Sequence, residues 1–144
     1  MKISLIKPSN EGILGLEMIT FVEPLGLECV AGVLEPEGHE IQILDLRIDG
    51  TESGLDRCLA FDAPMVGIQC NFTTERYRAV LTARQIRRNQ PQALIVMGGH
   101  DVSRDPAWFN DPAIDLLVIG DGEEVTPALV DALEHGGDLK KVPG

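Results

Sequence analysis

The chain has 144 residues, of which 44% are hydrophobic, and it carries a formal net charge of −11. This length accommodates one globular domain with a sizeable core and leaves no room for a second one. No apolar stretch approaches the roughly 20 residues that cross a bilayer, and the first residues lack the pattern of a signal peptide, so we expect a soluble, cytoplasmic protein. The negative charge disfavours nucleic acid and anionic membranes as partners.

The first half of the chain predicts two strands and two helices. Residues 3–6 form a short apolar strand that ends before Pro8, a residue that cannot donate a ladder hydrogen bond. After a long loop with glycines, apolar residues at helical spacing predict a helix over residues 27–34. Residues 40–46 alternate polar and apolar side chains, which is typical of an edge strand, and residues 51–60 predict a short helix.

The second half continues this alternation. Strands are predicted at residues 65–70 and 93–97, with a helix over residues 74–89 between them. A short helix at residues 107–109 precedes the fifth strand, residues 116–119, and a last helix follows with Pro127 in its first turn. The inward faces of the two long helices are predicted to carry Ala79, Val80, Ala83, Ile86, Val125, Leu129, Ala132 and Leu133.

The alternation predicts an α/β fold of the Rossmann-like or flavodoxin-like type. Right-handed helical crossovers between the strands build a doubly wound three-layer sandwich around a five-stranded parallel sheet. The half-polar second strand suits an edge, so the expected strand order is 2-1-3-4-5. We assign residues 1–136 to this domain. Residues 137–144 offer too little to bury anything and are interpreted as the start of a linker to a downstream domain.

Cysteines and arginines give two further expectations. The three cysteines are odd in number and widely spaced, which suits reduced thiols buried as small hydrophobes; they are Cys29, Cys58 and Cys70. Five arginines crowd one segment and are interpreted as a solvated helix face, with a docking surface for another domain as the alternative; they are Arg76, Arg78, Arg84, Arg87 and Arg88.

Two glycine-containing turns, Gly98-Gly99-His100 and Gly120-Asp121-Gly122-Glu123, follow the fourth and fifth strands. At the carboxyl edge of a parallel sheet, glycines let the backbone approach a ligand closely. Two such turns on neighbouring strands favour a ligand site over a purely conformational role. We interpret His100 as an ordinary loop histidine, with a functional role as the alternative.

Other sites known in this fold are not supported by the sequence. The first strand is followed by Pro8-Ser9-Asn10-Glu11-Gly12 instead of a dinucleotide-binding Gly-x-Gly-x-x-Gly, and no Walker loop occurs. A phosphorylated receiver domain needs acidic residues at the ends of the first and third strands, where this chain has Lys7 and Cys70. Histidines and carboxylates form no catalytic pair, so neither catalytic residues nor metal ligands are predicted here.

Five segments, taken in order, carry a family resemblance. They are Glu23-Pro24-Leu25-Gly26-Leu27-Glu28-Cys29-Val30-Ala31-Gly32-Val33-Leu34, Gly38-His39-Glu40-Ile41, Val66-Gly67-Ile68, Gly98-Gly99-His100 and Val118-Ile119-Gly120-Asp121-Gly122-Glu123. Together they resemble the cobalamin-binding domain at the amino end of cobalamin-dependent radical SAM enzymes, over nearly the whole chain. Three departures are mild: Glu23 replaces a proline, His100 stands one place early, and Asp121 replaces a glutamate.

The resemblance implies a cobalamin bound base-off, without a protein imidazole on cobalt. Cobalamin domains that ligate the metal carry Asp-x-His-x-x-Gly before the first helix. When this motif is matched to Gly26, the places of its aspartate and its histidine hold Phe21 and Glu23. Their Ser-x-Leu falls on Gln69-Cys70-Asn71, whereas the Gly-Gly of the fourth strand is kept. Glu23 is interpreted as a solvent-facing acid before a helix rather than as a cofactor contact. The nucleotide tail of the cofactor needs a glycine-lined slot between sheet and helices.

The resemblance assigns cofactor contacts to the loops after the first, third, fourth and fifth strands and to the start of the first helix. Glycines in these loops, with polar side chains beside them, supply donors and acceptors for the corrin amides. The expected cofactor-binding residues are Ser9, Asn10, Glu23, Gly26, Cys70, Asn71, Phe72, Thr73, Gly98, Gly99, His100, Gly120, Asp121, Gly122 and Glu123.

The same resemblance places the radical chemistry outside this chain. Its iron–sulfur cluster requires a Cys-x-x-x-Cys-x-x-Cys run, which the three scattered cysteines cannot supply. We therefore expect S-adenosylmethionine and the cluster only in a downstream radical SAM domain of the same protein, a methyltransferase or ring-forming enzyme. Two alternatives stay open: a stand-alone flavodoxin-like regulatory or interaction domain without cobalamin, and a small enzyme that uses another nucleotide cofactor.

Overall fold

A parallel five-stranded sheet forms the centre of the molecule. The computed structural model describes residues 1–9 and 22–144. Hydrogen-bonded neighbours run in the order β2-β1-β3-β4-β5, which confirms the predicted topology. The strands are β1 (Lys2–Lys7), β2 (Glu40–Asp45), β3 (Met65–Gln69), β4 (Leu94–Gly98) and β5 (Leu116–Val118).

The pairing register agrees with the pattern of burial. Ile3 of β1 is paired with Ile41 of β2 on one side and with Met65 of β3 on the other. Among the described strands, β2 pairs with β1 alone, and it keeps an exposed Glu40, as an edge strand should. The central strands are buried on both faces because helices cover both sides of the sheet.

Six α-helices surround the sheet within the described ranges. They are α1 (Leu25–Leu34), α2 (Leu46–Asp49), α3 (Thr51–Phe61), α4 (Arg76–Asn89), α5 (His100–Arg104) and α6 (Gly122–His135). Short 3₁₀ segments lie at Glu35–Glu37, Thr73–Glu75, Pro106–Phe109 and Leu139–Lys141. Among these helices, none is long and apolar enough to cross a membrane.

Two apolar cores pack against opposite faces of the sheet. One joins the sheet to α3 and α4 and includes Ile6, Ile68 and Ile86. The other joins it to α1 and α6 and includes Leu34 and Val130. The predicted inward residues of α4 are all buried, as are Val125 and Leu129 of α6, whereas Ala132 and Leu133 are half-buried.

Several local predictions were wrong. Leu46 begins α2 instead of ending the second strand, because the Asp45 carboxylate accepts a hydrogen bond from the Arg47 amide and caps a new helical turn. The helix α5 was not predicted. The helix α6 begins at Gly122, earlier than expected, so Pro127 lies in its second turn rather than its first.

The expectation that residues 137–144 bury nothing was also wrong. Leu139 and Val142 are half-buried and pack against the core on the α1 and α6 side. The Ile119 amide donates a hydrogen bond to the Gly144 carbonyl at 3.1 Å, so this segment returns to the end of β5. The boundary drawn at residue 136 stays a prediction.

The cysteine and arginine predictions hold only in part. Cys58 and Cys70 are buried, whereas Cys29 lies on the exposed side of α1. Arg84 and Arg88 lie on a solvated helix face, but Arg76 is buried. The reason is tertiary: Arg76 Cζ lies 5.2 Å and 5.6 Å from the ring centroids of Trp108 and Phe109, and two aspartates bind its guanidinium.

Candidate functional site

A cavity of about 350 Å³ lies between the sheet and the helices α1 and α6. It opens at the carboxyl edge of the sheet, where the loops after β3, β4 and β5 meet. This is the edge at which open α/β sheets bind ligands. The apolar residues that line it are Leu5, Leu27, Val30, Met65, Ile68, Val96 and Val118.

Two glycines set the width of the cavity. A Cβ atom on Gly67, inside β3, would lie 2.9 Å from Leu5 Cδ2, and one on Gly122, at the start of α6, would lie 3.0 Å from Val30 Cγ2. Both distances are shorter than an ordinary carbon–carbon contact. The slot between sheet and helices therefore depends on the absence of side chains at these positions.

The turn after β4 is held against the end of β3 by backbone geometry. Gly99 has φ +118°, and a Cβ atom there would lie 2.6 Å from both the Asn71 Oδ1 atom and the Cys70 carbonyl oxygen. The His100 amide donates to Asn71 Oδ1 at 3.2 Å, and the Asp101 amide donates to the Cys70 carbonyl at 3.2 Å. Only glycine fits this close approach.

Ser103 joins the turn after β4 to the turn after β5. Its hydroxyl donates to the Gly99 carbonyl at 3.2 Å and accepts a hydrogen bond from the Gly120 amide at 3.0 Å. The loops after β3, β4 and β5 thus form one hydrogen-bonded rim around the opening.

A buried charge network supports this rim from the other side of the sheet. The Asp101 carboxylate is 1% exposed and accepts hydrogen bonds from Arg76, from Arg104 at 2.6 Å and from the Thr73 hydroxyl at 3.0 Å. Arg76 also pairs with Asp105 at 2.8 Å. These hydrogen bonds, the one from Arg76 above all, lower the pKa of Asp101 to about 2.

A second buried ion pair, between Lys7 and Glu75, lies at the ends of β1 and β3. The Glu75 carboxylate also accepts hydrogen bonds from the backbone amides of Asn71 and Phe72, at 2.9 and 3.3 Å, and so shapes the loop after β3. Burial, followed by the nearby Glu75 charge, raises the pKa of the Cys70 thiol to about 12, so this thiol stays protonated.

Two polar side chains on the cavity wall lack a hydrogen-bond partner within residues 1–9 and 22–144. Gln69, the last residue of β3, is 5% exposed, and Thr126 of α6 is 4% exposed. The Gln69 amide packs against α1: a Cβ atom on Gly26 would lie 2.9 Å from its Nε2 atom. Both side chains line the cavity, so their polar atoms are open to a polar ligand there. Among the described residues, the fully buried side-chain atoms without a partner lie elsewhere, at Thr51 Oγ1 and Gln90 Oε1.

Most of the expected binding residues lie on this cavity. The ones that line it are Gly26, Asn71, Gly98, Gly99, His100, Gly120, Asp121, Gly122 and Glu123. His100 is exposed at the opening as the first residue of α5, so it is not the loop residue that the sequence predicted.

Five expected residues do not line the cavity. Glu23 is exposed before α1, and Phe72 is 56% exposed. The Thr73 hydroxyl is bound to Asp101 and Arg104. Cys70 belongs to the core on the opposite face of the sheet, and Ser9 lies on that face beside α4. Asn10 falls outside the described residues.

The apolar wall and the polar positions Gln69, Ser103 and Thr126 were not predicted from the sequence. One signal was present: Gly67 interrupts an otherwise apolar strand, and a glycine inside a strand marks a close approach of another group. No group of three histidine, cysteine, aspartate or glutamate side chains suited to a metal ion occurs in the described part of the chain.

Fold and site together define a doubly wound domain with a slot for a ligand at the carboxyl edge of its sheet. A family model for the B12 binding domain matches residues 13–130, and the chain belongs to this family. The family resemblance predicted from the sequence is thereby confirmed.

Three longer proteins resemble the whole chain. A hopanoid C-3 methylase of Methylococcus capsulatus is 26% identical, an uncharacterized methyltransferase of Pyrococcus horikoshii 34%, and an anaerobic magnesium-protoporphyrin IX monomethyl ester cyclase of Synechocystis 29%. The chain spans 28%, 32% and 30% of their respective lengths.

The response regulator TrrA of Thermotoga maritima has a similar structure. Its TM-score is 0.57 at 16% identity, and the match covers 93% of this chain and 96% of TrrA. This likeness shows the flavodoxin-like fold alone.

Proposed function

We propose that this domain binds cobalamin base-off, with the nucleotide tail of the cofactor in the cavity and the corrin ring over the rim. The observation that carries the proposal is the cavity itself: a member of the B12 binding family has a glycine-bordered slot with two unpartnered polar side chains on its wall. The residues therefore fit the cofactor. Bound cobalamin supplies a cobalt atom that can carry and release a methyl group.

The two parts of the site have different tasks under this proposal. The slot between the sheet, α1 and α6 excludes water from the nucleotide tail through its apolar lining. The rim offers polar groups to the corrin amides, among them Asn71, Asp121 and Glu123. Ser103 and the turn at Gly99 are already hydrogen-bonded to neighbouring loops. The rim loops therefore lose little conformational entropy when the ligand binds.

Titration with hydroxocobalamin, followed by absorbance and calorimetry, tests the proposal. We expect wild-type protein to bind at micromolar to high micromolar cobalamin. A Gly98→Val variant should bind at least about tenfold more weakly, because a Cβ atom there already lies 3.4 Å from Val118 Cβ and the added methyl groups fill the slot. Valine suits a strand, so the fold should persist.

Leu94→Val, on the same strand but away from the cavity, is the matched control and should bind as wild type does. Absence of any heat or spectral change with the wild-type protein would contradict the proposal. It would leave the regulatory or interaction domain as the better interpretation.

We further propose that the parent protein is a cobalamin-dependent radical SAM methyltransferase or ring-forming enzyme. Two curated relatives are named as a methylase and a methyltransferase and one as a cyclase, and each is between three and four times as long as this chain, which supports the proposal. The downstream part of such a protein would hold S-adenosylmethionine and the iron–sulfur cluster. Sequencing the gene beyond Gly144 tests this through the presence of a Cys-x-x-x-Cys-x-x-Cys run.

The cobalt of the bound cofactor is proposed to lack a protein imidazole. His39 contacts the chain's amino terminus, and His135 ends α6, so both lie at the opposite edge of the sheet from the cavity mouth. Glu23 is exposed and does not line the cavity. A carboxylate oxygen would in any case be a poor match for the nitrogen that usually binds at the lower face of cobalt.

Electron paramagnetic resonance of protein-bound cob(II)alamin should therefore show no superhyperfine splitting from an axial nitrogen. His100→Ala should leave the spectrum unchanged. If wild-type protein gave nitrogen splitting that the His100→Ala variant lost, His100 would be a ligand and the assignment of this loop would be wrong.

A further inference from the structure

A second cavity, of about 150 Å³, lies between α4 and the start of α3, on the face of the sheet opposite the slot described above. We call it the arginine cavity. Its described lining contains no carboxylate, and the polar residues on its wall include Ser9, Thr51, Arg78, Arg84 and Arg88. The chain as a whole carries a net charge of −11. The arginine cavity therefore concentrates positive charge in a protein that is otherwise strongly negative.

Two arginines of this wall differ from all the others in their ion pairs. The chain has eight arginines, and six of them pair with an aspartate; they are Arg47, Arg57, Arg76, Arg84, Arg87 and Arg104. Within residues 1–9 and 22–144, Arg78 and Arg88 have no carboxylate partner, and both line the arginine cavity. Their guanidinium groups are therefore available to an anion that enters it.

Two hydroxyl groups and the start of a helix complete the wall. Thr51 is the first residue of the eleven-residue helix α3, and its Oγ1 atom is buried without a hydrogen-bond partner among the described residues. Ser9 is 5% exposed and also lines the cavity, and its hydroxyl makes no hydrogen bond to a described residue. The N-cap residue of α3 is Gly50, which has no side chain to bind the first amides of the helix.

These groups call for a ligand that accepts hydrogen bonds and carries negative charge. A buried hydroxyl without a partner destabilises a folded protein, so a partner that arrives with a ligand explains the Thr51 hydroxyl. The positive end of the α3 dipole favours an anion at the same place. A guanidinium group binds oxyanions through parallel N–H donors, and it does so more specifically than a lysine ammonium.

We propose that the arginine cavity binds a phosphate group, either as inorganic phosphate or as a phosphate monoester. Arg78 and Arg88 supply the charge, and Ser9 and Thr51 supply hydroxyl donors. The volume of the cavity is below the range of pockets that enclose larger organic ligands, so the phosphate group alone enters it. This site does not depend on cobalamin, because it lies on the other face of the sheet.

Calorimetry and thermal unfolding at constant ionic strength test the proposal, with inorganic phosphate as the probe. We expect saturable binding and a melting temperature that rises with phosphate but not with chloride. Arg78→Gln should weaken phosphate binding about tenfold, because it removes a charge-assisted contact. Lys140→Gln is the control: it removes one positive charge from an exposed position on the α1 and α6 side, and it should bind phosphate as wild type does.

Thr51→Val tests the buried hydroxyl separately. Valine has nearly the same shape, so the melting temperature of the ligand-free protein should stay the same or rise, whereas phosphate binding should weaken. Neither Thr51 nor Arg78 lines the slot between the sheet, α1 and α6, so hydroxocobalamin affinity should be unchanged in both variants. This result separates the inference from the proposed function, which can fail or hold independently.

Three results would overturn the inference. They are the absence of saturable phosphate binding by wild-type protein, equal effects of Arg78→Gln and Lys140→Gln, and binding of acetate as tight as that of phosphate. The last result would show that the wall selects a carboxylate, such as an acidic side chain of a partner protein. Comparison with glycerol 3-phosphate identifies the source of the phosphate group. Tighter binding of the ester supports a phosphorylated ligand, and binding of inorganic phosphate alone supports the free ion.

Discussion

Replacing Asp101 with asparagine is expected to lower the free energy of unfolding by about 3 kcal/mol at neutral pH. The asparagine side chain has nearly the same shape but no charge. Arg76, which is 7% exposed, would lose its most buried counter-ion, and a buried charge without its partner is strongly destabilising. Urea unfolding followed by circular dichroism measures the effect.

The stabilisation by Asp101 should depend on pH in a defined direction. Its folded-state pKa of about 2 lies below the ordinary value of 3.8, so the folded protein favours the charged carboxylate. The difference in stability between wild type and Asp101→Asn should be complete above pH 4 and should shrink as the pH falls from about 4 towards 2. A difference that grew over this range would contradict the assignment.

Asp105→Asn is the matched control for this prediction. Asp105 binds the same guanidinium at 2.8 Å, but its side chain is 45% exposed. Solvent screens such pairs, so we expect a loss below about 1 kcal/mol. Equal losses for the two variants would show that burial of Asp101 is not what makes its pair with Arg76 important.

Replacing Gly99 with alanine is expected to destabilise the fold by about 3 kcal/mol and to weaken cobalamin binding as well. The combination of φ +118° and ψ 174° is a backbone conformation that alanine adopts only with strain. The added Cβ atom would also lie 2.6 Å from the Cys70 carbonyl oxygen, which forces the loops after β3 and β4 apart. Urea unfolding and hydroxocobalamin titration measure the two effects.

Gly32→Ala is the control substitution for this prediction, and its expected effect on stability is the opposite of that of Gly99→Ala. Gly32 lies on the exposed side of α1, and nothing lies within 4 Å of the Cβ position. Alanine has the higher helix propensity, so the variant should be more stable by about 0.5 to 1 kcal/mol and should bind cobalamin normally. A stable Gly99→Ala protein with unchanged binding would show that the rim tolerates a different turn.

The order of strands and helices could be predicted from the sequence because it depends on local periodicity. Short apolar runs such as residues 93–97 and 116–119 identify buried strands, and apolar residues at helical spacing identify α1 and α4. The two glycine turns predicted the edge of the sheet at which the cavity opens. Each directly follows a strand, and the ends of parallel strands meet at one edge.

The identity of the cavity wall was decided by tertiary structure. Gln69 and Cys70 are neighbours in sequence, yet Gln69 faces the cavity and Cys70 the opposite core, because the pleat sends successive side chains to opposite faces. Which face carries the cavity depends on where α1 and α6 pack. Thr126 joins the wall because it lies on the buried face of α6.

The sequence by itself determined the fold class, the strand order and the family of this protein, because these follow from local patterns and from motifs in a fixed order. Tertiary structure decided the partners of the buried charges. Arg76 appears solvent-facing in a helical sequence pattern, and its burial required Asp101, 25 residues away, to meet it across the end of the sheet. Such partners are brought together by packing between elements, which no local pattern encodes.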